Sequence, residues 1–511
     1  MRLDDDLARW IVLVAILLVT ASAALDITVV NVAISNIRED LGGNLASSQW
    51  IISIYAATYA TFIVPAGRLV DLHGARRIWM IGVCFYGAMS LLCGFALTEW
   101  WLIGARALQG VAAATMAPAG FALVAKAFAE RHRGFALGVL AAGLGIFSAF
   151  GPLVGGALTS WLDWRWIFFM NIPLVTAGLL LMLVATVRVR TETRRADLDV
   201  VGTITFTVFV LGVLYATIES RSQSLLPELL GASLLAVAAG VCFWLYERRR
   251  AEPMVDFSMF RSRVISAAAL AKFVSSAAFF GMFFYLVIFL EGVEELSAFE
   301  TGVRVFPSAV GAAGTALLAG KLIDRWGPRW LLFVGLLFGG VSIVWLSFAG
   351  LGDYWTVIFP ALVLNGIGYG FVSAPAQTAA INAVDEHRVG RVSSLLSIAG
   401  KLGAAFGVAL SAALFHALSR GDVEDAARKL GLAITDAEID VAAALIGSTA
   451  PHMGMGKFAS LTVVEVNRLV DAAFVFTFSS TMRSIGVAAL VAAFVVVLLI
   501  GRNSMNRTGK A

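Results

Sequence analysis

The chain has 511 residues, of which 59% are hydrophobic and 14% charged, and its formal net charge is +4. Soluble domains carry roughly 25% charged residues and a single core stops growing near roughly 250–300 residues, so this apolar excess cannot be hidden inside a soluble fold. Soluble enzymes and binding modules are thereby excluded, and lipid is left as the solvent for much of the surface.

A membrane crossing needs about 20 mostly apolar residues at about 1.5 Å of rise each. Fourteen stretches meet that rule, at 10–33, 49–70, 78–97, 101–127, 135–159, 166–187, 199–219, 227–246, 264–290, 299–322, 330–349, 355–382, 391–417 and 481–501. The first reads as a retained span rather than a cleaved signal, because residues 1–9 are acidic as well as basic and the apolar run is too long. Even-numbered connections are rich in arginine (Arg76–Arg77, Arg131–Arg133, Arg188–Arg195, Arg248–Arg250, Arg325–Arg329, Arg388–Arg391), whereas odd-numbered ones carry few cations. The chain ends match the even set, with Arg2 and Arg9 at one and Arg502, Arg507 and Lys510 at the other. Cations mark the cytoplasmic side, so both termini are expected there, in a bacterial cytoplasmic membrane. Tryptophans such as Trp10, Trp100, Trp161 and Trp355 fall at the expected interfaces.

One connection is unusual. Residues 416–480 form a long extracytoplasmic segment in which Ala426–Leu430 and Asp436–Leu445 could be short helices. Loops of this length are uncommon unless functional or disordered. The three cysteines, Cys84, Cys93 and Cys242, lie scattered in apolar runs and read as core thiols, since disulfides and zinc sites need clustered spacing.

An internal repeat divides the chain. Gly67-Arg-Leu-Val-Asp71-Leu-His-Gly74-Ala-Arg76-Arg77 follows the second span, and Gly320-Lys-Leu-Ile-Asp324-Arg-Trp-Gly327-Pro-Arg329 follows the tenth. Such parallel halves are a transporter architecture. Two six-span halves with spans seven and eight inserted between them place the boundaries at 1–190, 191–260 and 261–511.

The repeated element resembles the loop motif of the major facilitator superfamily, and fourteen spans in a 6 + 2 + 6 order resemble its drug:proton antiporter branch of the EmrB/QacA type. Three more stretches are similar to motifs of that branch: Leu25-Asp26-Ile-Thr28-Val-Val-Asn31 in the first span, Arg106-Ala-Leu-Gln109-Gly110 in the fourth, and Gly151-Pro152-Leu-Val-Gly155-Gly156 in the fifth. The resemblance covers nearly all of the chain except 416–480. It implies an all-α integral membrane protein of the major facilitator fold that exports hydrophobic or amphiphilic molecules in exchange for protons, as multidrug-efflux antiporters do. It also implies gating by Gly67, Asp71, Gly74, Arg76, Arg77, Gly320, Asp324, Gly327 and Arg329. A dedicated exporter of a metabolite, lipid or siderophore is the close alternative, and a membrane sensor a more distant one.

An acid inside a span is costly and is a functional candidate by default, which singles out Asp26. Arg106 lies at a similar depth in the fourth span, so the two could pair. An arginine moving to and from the acid would tie its proton occupancy to the movement of the spans; the bland alternative is a permanent pair that fixes helix register. Gly151, Pro152, Gly155 and Gly156 allow close approach and bending, as a rocking interface requires. Lys272 and Lys401 lie well inside their spans, and with Asn31 and Gln109 they are candidate cavity residues. Because no deep carboxylate accompanies them in the C-terminal half, the expected cargo is a neutral, zwitterionic or anionic amphiphile, unless Lys401 pairs with Asp26 or a backbone carbonyl. The aromatic runs Phe279–Phe284 and Phe474–Phe478 are expected mostly to pack or face lipid. Catalytic chemistry, a metal, a cofactor, nucleotide and nucleic acid are not expected: no G-x-x-x-x-G-K-[ST] exists, Gly366-Ile-Gly-Tyr-Gly370 lies in a span, and the five histidines are scattered in loops. The expected partners are the substrate, protons and the bilayer, and the expected state is a monomer.

Overall fold

The computed structural model describes residues 5–128, 130–185, 199–219, 226–250, 253–384, 389–432, 434–446 and 461–499. The expected domain boundary at 190/191 and the terminal cations other than Arg9 lie outside these residues, as do the arginines of 188–195. Fifteen α-helices make up the described chain. The first group is α1 (Asp5–Leu41), α2 (Leu45–His73), α3 (Ala75–Gly94), α4 (Glu99–Ala127), α5 (Glu130–Trp161), the short α6 (Trp166–Phe169) and α7 (Asn171–Val184). Then come α8 (Val200–Ile218) and α9 (Leu226–Glu247). The last group is α10 (Arg263–Ile288), α11 (Ala298–Leu346), α12 (Phe359–Ile381), α13 (Val389–Leu430), α14 (Asp436–Leu445) and α15 (Val463–Leu499). Twelve helical stretches among the described residues are long and apolar enough to cross a membrane. The two remaining predicted spans, 135–159 and 299–322, are helical within α5 and α11. The protein is thus an all-helical, multi-pass membrane protein.

The face from which α1 starts is called the near face, and the face where it ends the far face. In the first group α1 packs on α5 and α7, and α4 packs on α2 and α3. In the last group α10 packs on α13, and α11 packs on α12 and α15. The two groups meet along α5–α11 and α2–α13. Helices α8 and α9 pack on each other, and α8 also touches α2 and α13; their apolar surfaces are the least buried of the spanning stretches.

The sequence repeat has a backbone counterpart. Gly74 (φ 87°, ψ 142°) separates α2 from α3, and Gly327 (φ 72°, ψ 161°) kinks α11 into two arms. Both lie in a region that is essentially glycine's alone, and Pro328 after the second restarts the helix at its first turn. Gly67 is different, because a Cβ there would meet nothing within 4 Å. Gly74→Ala and Gly327→Ala are therefore expected to cost about 1–3 kcal/mol each. Thermal unfolding in detergent should show a lowered midpoint for both and none for Gly67→Ala.

The expected long connection is mostly helix. Helix α13 runs to Leu430 rather than ending near 417, and α15 begins at Val463 rather than near 481. Residues 418–430 are amphipathic, with Val423, Ala426 and Ala427 buried and Arg420 and Arg428 exposed. Hydropathy falls there, but helical hydrogen bonding does not. The α14 helix does span Asp436–Leu445, opened by a Thr435–Glu438 capping box, and packs Ile439 and Ala442 inward. Arg420 lies 3.6 Å from Asp440 and 3.8 Å from Asp436, exposed pairs that contribute little individually.

One further expectation is corrected. Only Cys93 is a core thiol; Cys84 and Cys242 are exposed. An apolar run does not reveal which helix face looks to lipid and which to protein. Trp50 and Trp164, near helix ends at the far face, are buried against protein and donate to Glu219 (3.2 Å) and Asp40 (3.1 Å).

Candidate functional site: a buried ion pair beside a central cavity

Asp26 and Arg106 meet. Both are fully buried, and the guanidinium Nη1 donates to Asp26 Oδ2 and, at 2.7 Å, to Gln109 Oε1. Arg106 also lies over the Tyr55 ring, 4.3 Å from its centroid. Asn171 Nδ2 faces Asp26 Oδ1 at 3.4 Å and Ser90 Oγ at 3.3 Å, while Ser22 Oγ donates to Asn171 Oδ1 at 2.7 Å. Gln109 Nε2 reaches Ser90 Oγ at 2.8 Å. A polar knot drawn from α1, α3, α4 and α7 therefore surrounds one carboxylate. Such a knot has a local cause in α7, where Asn171 is the first residue after the α6–α7 break. Buried charges persist only when paired and hydrogen-bonded in this way.

Gln109, expected on the cavity wall, is instead wholly buried behind Arg106 and holds it in place. The acid is likewise absent from the wall, whereas Arg106 stands on it.

A cavity of about 240 Å³ lies between the two groups of helices. Its wall includes Arg106 and Tyr59 on one side and Lys272, Tyr369, Phe280 and Lys401 on the other. A neighbouring cavity of about 230 Å³ shares Tyr55, Tyr59 and Lys401 with it, and a third of about 130 Å³ shares Phe280 and Tyr369. Asn31 lines the third, its Nδ2 donating to Ile27 O at 2.9 Å. The aromatic runs divide: Phe279, Phe280 and Phe283 line the third cavity and Phe474 lines another near the far face, whereas Phe284 and Phe478 are buried in packing.

The two helix groups close together at the far face. A Cβ on Gly156 would come within 2.9 Å of Phe299 Cα and would overlap Ala298 O, and one on Gly302 would overlap Pro152 O. Phe299 N donates to Ser160 Oγ at 2.9 Å, and Trp161 packs on Phe299. On the other seam Ser53 Oγ donates to Ala405 O at 3.2 Å. Gly151 and Gly155 face the opposite way and seat α5 on Thr28 and Val29 of α1. The glycines of α5 thus bind it to both groups at once, because only a missing side chain lets backbones approach so closely. Near this seam a cavity of about 320 Å³ holds Ser35, Arg38 and Glu291, with both Glu291 carboxylate oxygens shut off from solvent.

At the near face the repeat residues are placed as follows. Asp71 and Arg77 are exposed, and Arg76 Nη2 donates to Met182 O at 2.8 Å, tying α3 to α7. Arg329 lies over Trp330, 5.6 Å from the ring centroid. Gly320 and Asp324 lie in helical backbone of α11, and the surroundings of the Asp324 side chain fall outside what is described. No group of three or more metal-ligating side chains occurs among the described residues.

The model of the Major Facilitator Superfamily matches residues 16–408. The puromycin resistance protein pur8 of Streptomyces alboniger is 35% identical over 410 residues, covering 79% of this chain and 81% of the relative. The methylenomycin A resistance protein of Streptomyces coelicolor is 30% identical over 78% of this chain and 84% of its own. Among solved structures, the inward-facing, unoccupied form of a bacterial homologue of the human lysosomal transporter Spinster superposes with a TM-score of 0.65. That likeness, at 18% identity, covers 96% of this chain and 97% of the other and speaks to fold alone.

Proposed function

The chain belongs to the Major Facilitator Superfamily and is a transporter rather than an enzyme, and from that premise we propose that it is a proton-coupled antiporter that exports amphiphilic small molecules by alternating access. The names of its relatives, which include puromycin, methylenomycin A and lincomycin resistance proteins, support drug efflux. In this reading fourteen spans cross the membrane in a 6 + 2 + 6 order, with α8 and α9 as the inserted pair and both termini in the cytoplasm. The near face is then cytoplasmic, and the cavity is reached from inside.

The observation that carries the proposal is the fully buried Asp26–Arg106 pair beside the central cavity. An acid so placed binds and releases a proton only when the helices around it rearrange, which is what coupling requires. Rocking of the halves would part α5 from α11 at the far face. Because Asp26 on α1 and Arg106 on α4 belong to the same group, the pair would loosen through bending of α1 and α4 within that group as the far seam opens. The proton would enter from outside, and the cargo would leave as the far seam opens. The repeat at Gly74 and Gly327 would hold the near face when it closes.

The test is uptake of methylenomycin A, a carboxylic acid, into inverted vesicles or proteoliposomes under an imposed pH gradient. Puromycin, a weak base, is the contrasting cargo, and a pH-sensitive dye reports proton flux. Accumulation that a protonophore abolishes, together with substrate-dependent proton release, is the expected result. Uptake without proton movement would refute the coupling, and binding without uptake would favour a sensor.

A further inference from the structure

Among the described residues, the cavity wall contributed by the last helix group carries two cations and no acid. Lys272 Nζ donates to Ser373 Oγ at 2.8 Å and lies 5.5 Å from the Tyr369 ring centroid. Lys401 Nζ lies 4.7 Å from the Tyr59 ring centroid, across the gap between the two groups. The two lysines share one stretch of wall. Helices α10 and α13 approach closely at Gly400, Gly403 and Gly407, where added Cβ atoms would strike Phe273 and Ala277 backbone atoms or the Lys272 stem. At Gly400, the residue before Lys401, that Cβ would lie 3.1 Å from Lys272 Cε. Helix packing therefore lays one lysine over the root of the other.

Neither ammonium has a carboxylate partner among the described ion pairs, and no described acid lies on the wall of the three neighbouring cavities. The deep acid, Asp26, is occupied by Arg106. Two like charges held close in a poorly solvated site repel each other, and a hydroxyl or a ring face compensates an ammonium only in part. An anion between them would remove the repulsion and gain two charge-assisted hydrogen bonds. Around them Tyr59, Tyr369 and Phe280 offer flat apolar surface.

We propose that Lys272 and Lys401 form a clamp for the anionic head of the cargo, a carboxylate or a phosphate ester, with the aromatic wall holding its apolar body. This rests on the export reading for its purpose but not for its measurement. A cationic amphiphile placed in the same cavity meets two ammonium groups and no acid, so it is discriminated against.

Three probes with one apolar body separate the head charges: 1-pyrenebutyrate, 1-pyrenebutanol and 1-pyrenebutyl-trimethylammonium. Their binding to the full chain in nanodiscs of zwitterionic lipid is read by energy transfer from tryptophan to pyrene, against empty nanodiscs. Pyrenebutyrate is expected to bind about tenfold or more tightly than the alcohol, and the trimethylammonium probe most weakly, since a hydrogen bond to a charged group contributes about 1.5–3 kcal/mol. Lys401→Met and Lys272→Met should each erase most of that preference while leaving the alcohol's affinity nearly unchanged. Equal affinities, a preference for the cation, or no detectable binding of pyrenebutyrate to the unaltered chain would each overturn the clamp, and those comparisons need no variant. Anion preference without proton-linked transport would instead sink the export reading and leave the clamp standing.

Discussion

Asp26→Asn is expected to abolish uphill transport while leaving substrate exchange across the membrane intact. Each proton exchanged across a pH gradient of one unit sustains about tenfold accumulation, since one pH unit corresponds to about 1.4 kcal/mol. An amide cannot carry the proton, so the accumulation ratio should fall to about one, whatever the residual rate. The substitution also leaves Arg106 buried without a counter-charge, and breaking such a pair typically costs about 3–5 kcal/mol. Loss of protein could therefore imitate loss of coupling. The double variant Asp26→Asn, Arg106→Gln removes both charges and should recover much of the thermal stability. It should not recover accumulation. Counterflow of preloaded substrate measures the surviving exchange in either variant. If Asp26→Asn still accumulates substrate against its gradient, the pair serves only to fix the register of α1 against α4.

The second large effect is expected at the far seam. A methyl group on Gly156 has nowhere to go, because its neighbours at 2.9 and 3.0 Å are backbone atoms of Phe299 and Ala298. Overpacking of this kind costs about 1–3 kcal/mol. Here the cost falls on one conformation only, the one in which α5 and α11 touch. A penalty on one state shifts a two-state equilibrium by its full size, about five- to 150-fold over that range. Gly156→Ala should therefore populate the form with the far face open and slow the transport cycle. Spin labels at positions 160 and 299, in a background lacking the three native cysteines, would read the separation directly. Gly104→Ala, where an added Cβ meets nothing within 4 Å, is the control. An unchanged distance distribution in Gly156→Ala would mean that this seam does not open.

Much of the fold could be read from residue patterns, and the reasons differ by element. The spans were legible because lipid imposes a length and a polarity that few other settings demand. The Gly74 and Gly327 turns were legible because a backbone conformation closed to other residues leaves its mark on sequence. Asp26 stood out as a charge in an apolar run, and the structure brings Arg106 to it. Asn171 was missed, although an amide in the middle of an apolar stretch is the same kind of signal at lower volume. Ser22 and Ser90 gave none, since most serines in helices bond back to their own turn. Gln109 was noticed but misplaced, because sequence gives depth along a helix and not the direction of a side chain. The extension of α13 past 417 escaped for a related reason: where a helix leaves lipid it becomes amphipathic, and an apolarity rule stops counting.

That extension makes α13 a pointer. From Lys401, on the cavity wall, to Leu430 at its tip, the helix spans about 44 Å at 1.5 Å per residue. A rotation about the cavity would carry the tip by about 0.8 Å for every degree, if the helix turns as one rod. Changes too small to resolve at the cargo site would be magnified at residues 420–430, where a label or an antibody fragment touches nothing in the cavity. The protein carries, beyond the part that handles its cargo, a gauge needle for its own cycle.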